Sequence, residues 1–357
     1  MNTASFDFKT IINYFQVDGD YEKACPYGGG HINDTFAVSL SGGGYDHALL
    51  QRINTYVFKD PVKLMSNIEK VTIYLNEAIV SNRSNYLRET LHIIPARDGA
   101  SFAVVNGDYW RVYNFVENSI SYESIESKEQ MYTVGRAFGN LQCLLSGFPA
   151  SSLYESIPDF HNTPKRFEAF VGALNKDVLN RASSCSEEID FVLSRKENMS
   201  VIQGLIESGE IPVRVTHNDT KLNNILFDIE TGKAVCVVDL DTTMPGTLLF
   251  DFGDSIRFGA STAAEDERDL NKVSVSLEYY NAYNDGFLEE AGGMMRDLEK
   301  ELLPMGAKTM MLECGMRFLT DHLSGDHYFK IHRTGHNLDR ARTQFKLARD
   351  MEKLFGI

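Results

Sequence analysis

The stretch Thr216–Phe227, THNDTKLNNILF, sets Asp219, Lys221 and Asn224 on one short loop, and soon afterwards the apolar run Ala234–Asp241, AVCVVDLD, ends in two more carboxylates. An isolated Asp or Asn commonly caps or turns the chain. An acid, a cation and an amide on one loop, followed by a β-branched strand with an acid at its end, hold more chemistry than a turn requires. Asp239 lies 239 − 219 = 20 residues beyond Asp219, and the reading of the chain rests on taking the two together.

Outward from this loop the texture is helical. MYTVGRAFGNLQCLLSGF (Met131–Phe148) and TPKRFEAFVGALNKDVLNRA (Thr163–Ala182) carry apolar residues at three- and four-residue spacing. The first third differs. After a short helical pattern (Phe8, Ile11, Ile12, Phe15), the glycine cluster in YGGGHINDTFAVSL (Tyr27–Leu40) is followed by alternation, the sign of a strand-turn-strand hairpin. A second cluster, Gly42–Gly44, precedes a β-rich run at Ala48–Ile53, and PVKLMSNIEKVTIYLNEAIV (Pro61–Val80) reads as a helix. SFAVVNGDYWRVYNFVEN (Ser101–Asn118) reads as two strands joined at Asn106-Gly107-Asp108, chemistry suited to a tight hairpin. The expected fold is therefore α+β and bilobal, with a small sheet-rich lobe over residues 1–116, a larger mainly helical lobe over 117–357, and a ligand cleft between them.

Composition narrows the function. The 357 residues suffice for two lobes, and 43% apolar with 24% charged residues is ordinary for a globular protein. A net charge of −15 argues against nucleic acid and anionic membranes as partners, since neither is bound without surplus Lys and Arg. The five cysteines are scattered, with no C-x-x-C, and read as reduced thiols. No basic segment with an apolar run after it opens the chain and no stretch of eighteen apolar residues occurs, so the expected location is cytoplasmic.

His217, Asp219 and Asn224 fit H-x-D-x-x-x-x-N, the catalytic loop of protein-kinase-like folds, in which the Asp accepts the proton of the attacking hydroxyl and the Asn holds magnesium. Lys221 can place positive charge on the transferred group. Asp239, at the end of its strand, suits the second magnesium ligand; Asp241, next but one, competes, since alternation along an extended strand would put both on the same face. Asp251-Phe252-Gly253 spells D-F-G but lies 251 − 219 = 32 residues past the base, and reads as an acid that buttresses the loop. Gly28, Gly29 and Gly30 would cover the phosphates of ATP. Where the kinase pattern has its phosphate-binding Lys, this chain has Gln51 or Arg52.

The set PYGGGHIND, LLQRIN, WRVYNFVEN, RVTHNDTKLNNILFD, VVDLDTTMPGTLLFDFGDSIRFGAS and ECGMRFLTDHLSGDHYF resembles the N-acetylhexosamine 1-kinases of the aminoglycoside phosphotransferase superfamily, from about Cys25 to the last helix. The catalytic-loop elements mark the superfamily; the run after Val238 and ECGMRFL are more specific to the sugar kinases. The resemblance implies ATP and Mg2+ as cofactors, Asp219 as base, Asn224 and Asp239 as metal ligands, and Phe115–Asn118 as the hinge that reads adenine, so that Phe115, Val116 and Glu117 are nucleotide contacts. It also implies transfer to the anomeric hydroxyl of N-acetylglucosamine (GlcNAc) or N-acetylgalactosamine (GalNAc).

From the residues themselves, Arg317 could hold sugar hydroxyls or the acetamido carbonyl through its fork of donors, and His31 could reach sugar or phosphate. His322, His327, His332 and His336 do not fall on one helical face, which disfavours a metal site, and Trp110 reads as packing. Two other readings stand beside the sugar kinase: a phosphotransferase of the same fold acting on an aminoglycoside, choline or other amino alcohol, and a non-enzymatic nucleotide binder, suggested by the missing Lys.

Overall fold

The structure, a computed structural model, describes residues 6–28, 32–80 and 86–357. Its chain divides into two compact units: Met1–Ser121 with Ser151–Ile157 and Ile225–Met244, and Tyr122–Ala150 with Pro158–Asn224 and Pro245–Ile357.

In the first unit, β1 (Asp20–Pro26), β2 (Asp34–Ser41), β3 (His47–Arg52), β4 (Ile93–Ile94), β5 (Ala103–Val105) and β6 (Asp108–Asn114) form an antiparallel sheet in the order β1-β2-β3-β6-β4, with β5 paired to β6. Asn106 (φ 54°) and Gly107 (φ 87°) turn the chain from β5 to β6. Both central residues of this two-residue turn are left-handed, the geometry that matches strand twist and that Asn-Gly tolerates. One face of the sheet packs Phe36, Val38, Leu40, Ala48, Leu50, Trp110 and Val112 into a core with Ile11 and Ile12 of α1 (Phe8–Ile12) and with Phe15 just beyond it. Trp110, 1% exposed, is packing as read. The opposite face receives α2 (Pro61–Val80) through Met65.

After the short α3 (Tyr86–Glu89) and β7 (Ser119–Ile120), and β8 (Arg214–Thr216) of the second unit, β9 (Ile225–Asp228) and β10 (Ala234–Val237) return to the first and form a small sheet in the order β10-β9-β7. Val237 pairs with Ile225, the residue after Asn224.

The second unit is helical: α4 (Lys128–Leu144), α5 (Thr163–Lys176), α6 (Ser186–Leu193), α7 (Val201–Glu207), α8 (Leu248–Gly259), α9 (Leu277–Ala291), α10 (Asp297–Glu301), α11 (Leu303–Ser324) and α12 (His336–Phe355). The periodic run that begins at Thr163 stops at Lys176 because Asp177 adopts a left-handed conformation (φ 33°). Helices α4 and α9 cross at glycines: a Cβ on Gly135 would meet the Tyr283 carbonyl oxygen at 2.2 Å, and one on Gly286 would meet that of Tyr132 at 2.2 Å. The α+β class is as expected, with an N-terminal antiparallel sheet and a mainly helical C-terminal part. None of the five cysteines forms a disulfide, and among the described residues no helix is long and apolar enough to cross a membrane.

Gly135→Ala should destabilise the protein by about 2–3 kcal/mol, because the backbones must part by more than an ångström to admit the methyl; urea unfolding measures it. Lys308, 1% exposed on α11, has no hydrogen-bond partner among the described residues, and burial holds its ammonium below the usual lysine range. Lys308→Met should therefore stabilise by about 1–3 kcal/mol and raise the melting temperature in calorimetry.

Candidate active site

The loop His217–Asn224 lies in the second unit, and a buried carboxylate fixes its backbone. Asn218 is left-handed (φ 63°), a conformation Asn tolerates better than most residues. That geometry turns two successive amides to one side, where the His217 N–H donates to Asp251 Oδ2 (2.8 Å) and the Asn218 N–H to Asp251 Oδ1 (2.7 Å). Gln142 of α4 donates a third bond to Oδ2 at 2.8 Å. Burial pushes the Asp251 carboxyl up, against the His217 ring and the two backbone N–H donors, which pull it down. One turn along α8, Asp254 accepts the Thr220 N–H at 3.1 Å and is itself paired with Arg257 at 2.9 Å. Asp251 is thus the buttress read from its position; Asp254 was not singled out, although its i, i+3 spacing from Asp251 puts both acids on one helical face.

On this scaffold the Asp219 carboxylate meets Lys221 Nζ at 2.6 Å through Oδ1 and the Asn224 amide nitrogen at 3.1 Å through Oδ2. Burial raises the Asp219 carboxyl, but Lys221, His217 and Asn224 outweigh it and hold it below the ordinary carboxylate value. Lys221, against the opposing effect of burial, is held well above the usual lysine range by Asp219 and Asp254. Both stay ionised at neutral pH. The Asn224 amide nitrogen also donates to the Asp219 carbonyl at 2.8 Å, so its carbonyl oxygen is the end left to meet a cation. That oxygen and, in the first unit, the carboxylate of Asp239 are each hard oxygen donors of the kind Mg2+ takes. Among the described residues there is no cluster of three or more His, Cys, Asp or Glu placed to hold a metal by itself.

A second buried group reaches the loop from the other side. His161 Nδ1 is 2.8 Å from Glu313 Oε1, and His161 Nε2 faces the Asn218 carbonyl at 3.4 Å. The second Glu313 oxygen accepts the Thr163 hydroxyl at 2.7 Å. One helical turn beyond Glu313, the Arg317 guanidinium lies 5.4 Å from the Phe160 ring centre, 5.9 Å from Tyr328 and 5.6 Å from Phe329. It has no ion-pair partner among the described residues, and it helps to hold Arg166 below the usual arginine range, after burial. His161 and Glu313 were missed, their 152-residue separation leaving no local signal.

In the first unit, β10 stops at Val237. Asp239 is left-handed (φ 61°, ψ 61°), and Leu240–Thr242 form a 3-10 turn. The expectation that Asp239 and Asp241 alternate along one extended strand is therefore corrected: the strand has ended before either. The Asp241 carboxylate is buried and takes two bonds from Arg111 of β6, at 2.6 and 3.0 Å, and one from Asn33 at 2.5 Å. Arg111, on the sheet face that bears Gln51, also donates to Gln51 Oε1 at 2.9 Å; Gln51 in turn donates to Thr35 at 2.9 Å. Arg52 lies on the opposite face, bound to Asp34 (2.8 Å) and Asp108 (3.3 Å) and 5.0 Å from the Phe6 ring centre. Arg111 was overlooked, although a lone charge inside the apolar strand YWRVYNF was visible.

Val116 is buried, and its carbonyl accepts the Ser119 hydroxyl at 2.6 Å. Phe115 lies 5.1 Å from the ring of Tyr27, the neighbour of Gly28, and 5.3 Å from that of His47, whose Nδ1 meets Glu117 at 2.8 Å. Phe115, Glu117, His47 and Tyr27, the residue before Gly28, are thus together. Gly28 has a positive φ of 74°; Gly29, Gly30 and His31 lie outside the described residues.

A family model described as APH, phosphotransferase enzyme family, matches residues 23–283. Among solved structures, the fold is similar to that of a microcompartment-associated aminopropanol kinase (14% identity, TM-score 0.58, covering 98% of this chain and 97% of that one). It is also similar to an amicoumacin kinase in complex with AMP-PNP and Ca2+ (12%, 0.58, 93% and 88%) and a choline kinase from Cryptosporidium parvum (14%, 0.57, 93% and 89%).

Asp251→Ala should leave the two loop amides without their acceptor. The expected result is a loss of about 2–4 kcal/mol of stability by urea unfolding, together with a collapse of any phosphotransfer activity even where the variant is fully folded.

Proposed function

We propose, from the premise that this chain belongs to the phosphotransferase enzyme family, that it transfers the γ-phosphoryl group of ATP to the anomeric C1 hydroxyl of an N-acetylhexosamine, GlcNAc or GalNAc, giving the 1-phosphate. Asp219 orients the acceptor hydroxyl and takes its proton. Its lowered pKa suits orientation better than strong proton abstraction, and an anomeric hydroxyl, more acidic than an ordinary alcohol, asks less of the base. Lys221, 2.6 Å from Asp219, supplies positive charge to the transferred group. Asn224 and Asp239 hold Mg2+, which when bound neutralises charge on the phosphate oxygens. Gln51, on the face shared with Arg111, takes the nucleotide side; Phe115, Val116 and Glu117 form the adenine hinge, with Gly28, Gly29 and Gly30 over the phosphates.

The observation that carries the sugar reading is Arg317. Its guanidinium is walled by three aromatic rings, and one of them, Phe160, adjoins the His161 that faces the Asn218 carbonyl, next to Asp219. The acids one turn to either side on its helix are both committed: Glu313 to His161 and Thr163, and Asp321 to the N–H groups of His327, Tyr328 and Phe329 and the amide of Asn337. Fixed donors and aromatic faces suit a polyhydroxyl acceptor with an amide carbonyl; a cationic acceptor would want open carboxylates. His31 remains a candidate sugar or phosphate contact.

A second reading, an amino alcohol or aminoglycoside as acceptor, draws on the aminopropanol and choline kinases of similar fold and on the net charge of −15. A panel of GlcNAc, GalNAc, glucose, choline, aminopropanol and an aminoglycoside with MgATP, followed by ADP release and by phosphorus NMR of the product, separates the two. The expected outcome is phosphate on C1 of the N-acetyl sugars. Turnover of amines alone, or phosphate on C6, would sink the sugar reading. Asp219→Ala should lower kcat about 10²–10⁴-fold with ADP affinity retained. Arg317→Ala should raise KM for the sugar about 10–100-fold and change kcat less.

A further inference from the structure

Kinase-like folds keep a lysine on the third strand and pair it with a helical glutamate. Here the third strand offers Gln51, and where α2 meets that sheet face it presents Met65 to the guanidinium of Arg111, at 3.8 Å. The buried cation has moved one strand over, to the residue paired in register with Gln51. Its carboxylate partner is also elsewhere, on the turn that follows Asp239.

The geometry points to Arg111 and Asp241 as one positioning device for Asp239, with Asp241 engaged by the guanidinium and not a metal ligand. Both Asp241 oxygens are occupied: Oδ1 by Arg111, Oδ2 by Arg111 and Asn33. The two side chains are 2% and 4% exposed, so a metal ion that took Asp241 would leave a guanidinium buried without its counter-charge. The main chain of the same turn is pinned as well. Ser156 donates to the Asp241 carbonyl at 3.2 Å, and Asn67 of α2 donates to the Thr243 carbonyl at 3.3 Å. Left-handed backbone at a non-glycine residue persists where its surroundings over-determine it. The clamp on residues 241–243 does this for Asp239, two residues upstream, and thereby sets where its carboxylate stands.

This inference rests on the phosphotransferase reading but not on the identity of the acceptor, so its test uses nucleotide alone. ADP binding is measured by titration calorimetry with and without Mg2+, for the wild type, Asp239→Asn, Asp241→Asn, Arg111→Lys, Arg111→Met and the double variant Arg111→Met/Asp241→Asn. Asp239→Asn should abolish the gain in ADP affinity that Mg2+ gives. Each single change at the pair should reduce that gain about three- to tenfold while metal-free ADP binding stays put, and the double variant should be no worse than the poorer single, since both act through one contact. Arg111→Lys keeps the charge without the fork, so it folds and shows the smallest reduction. The inference is overturned if Asp241→Asn loses the gain as completely as Asp239→Asn while Arg111→Met retains it, which would make Asp241 a metal ligand. It is equally overturned if folded pair variants keep the full gain, which would leave the pair a merely structural role. A wild type that binds no MgADP would overturn both this inference and the phosphotransferase reading; wild-type binding with either preceding result overturns this inference alone.

Discussion

The carboxylate of Asp251 accepting the main-chain N–H groups of His217 and Asn218 is the contact on which the loop that bears Asp219 depends. Two successive amides point the same way only because Asn218 is left-handed, and in a water-free interior they need an acceptor. A carboxylate with two oxygens meets both at once. Its third bond, from Gln142, ties α4 to the same point, and the Thr220 hydroxyl donates to the Asp251 carbonyl at 2.6 Å, so side chain and backbone of one residue both grip the loop. Asp219 inherits its position from this grip.

The same physical solution recurs at the segment that carries Asp239. There too a non-glycine residue is left-handed, and a buried carboxylate nearby is saturated with donors, this time a guanidinium and an amide. The two acids differ in environment. Asp219 faces a lysine whose side chain is 34% exposed; Asp241 faces an arginine that is buried and bidentate.

Much of this was legible in the sequence because it is local. Hairpin turns, helical stripes and the H-x-D-x-x-x-x-N loop each declare themselves within a dozen residues, and Asp251 could be separated from Asp239 by asking which one follows an apolar strand. What escaped was either long-range or conformational. The partners of Arg111 and His161 lie 130 and 152 residues away, so neither pair has a sequence signature. Alternation was carried past the strand's end to Asp239 and Asp241, since nothing in VVDLD announces that the strand stops at Val237. Between Gln51 and Arg52, only the register of the sheet decides which side chain shares a face with Arg111. The surroundings of Arg317 are the least legible part: its aromatic walls come from two other segments, at Phe160 and at Tyr328-Phe329.

The glycine seam between α4 and α9 reaches further than packing. Gln142 sits two helical turns beyond Gly135 on α4, so the depth to which the two backbones sink into each other meters how far Gln142 extends toward Asp251. A methyl group added at that seam is transmitted along a rigid rod to the loop that bears Asp219. Drift at the crossing therefore bears on the placement of that loop as well as on the packing of the two helices.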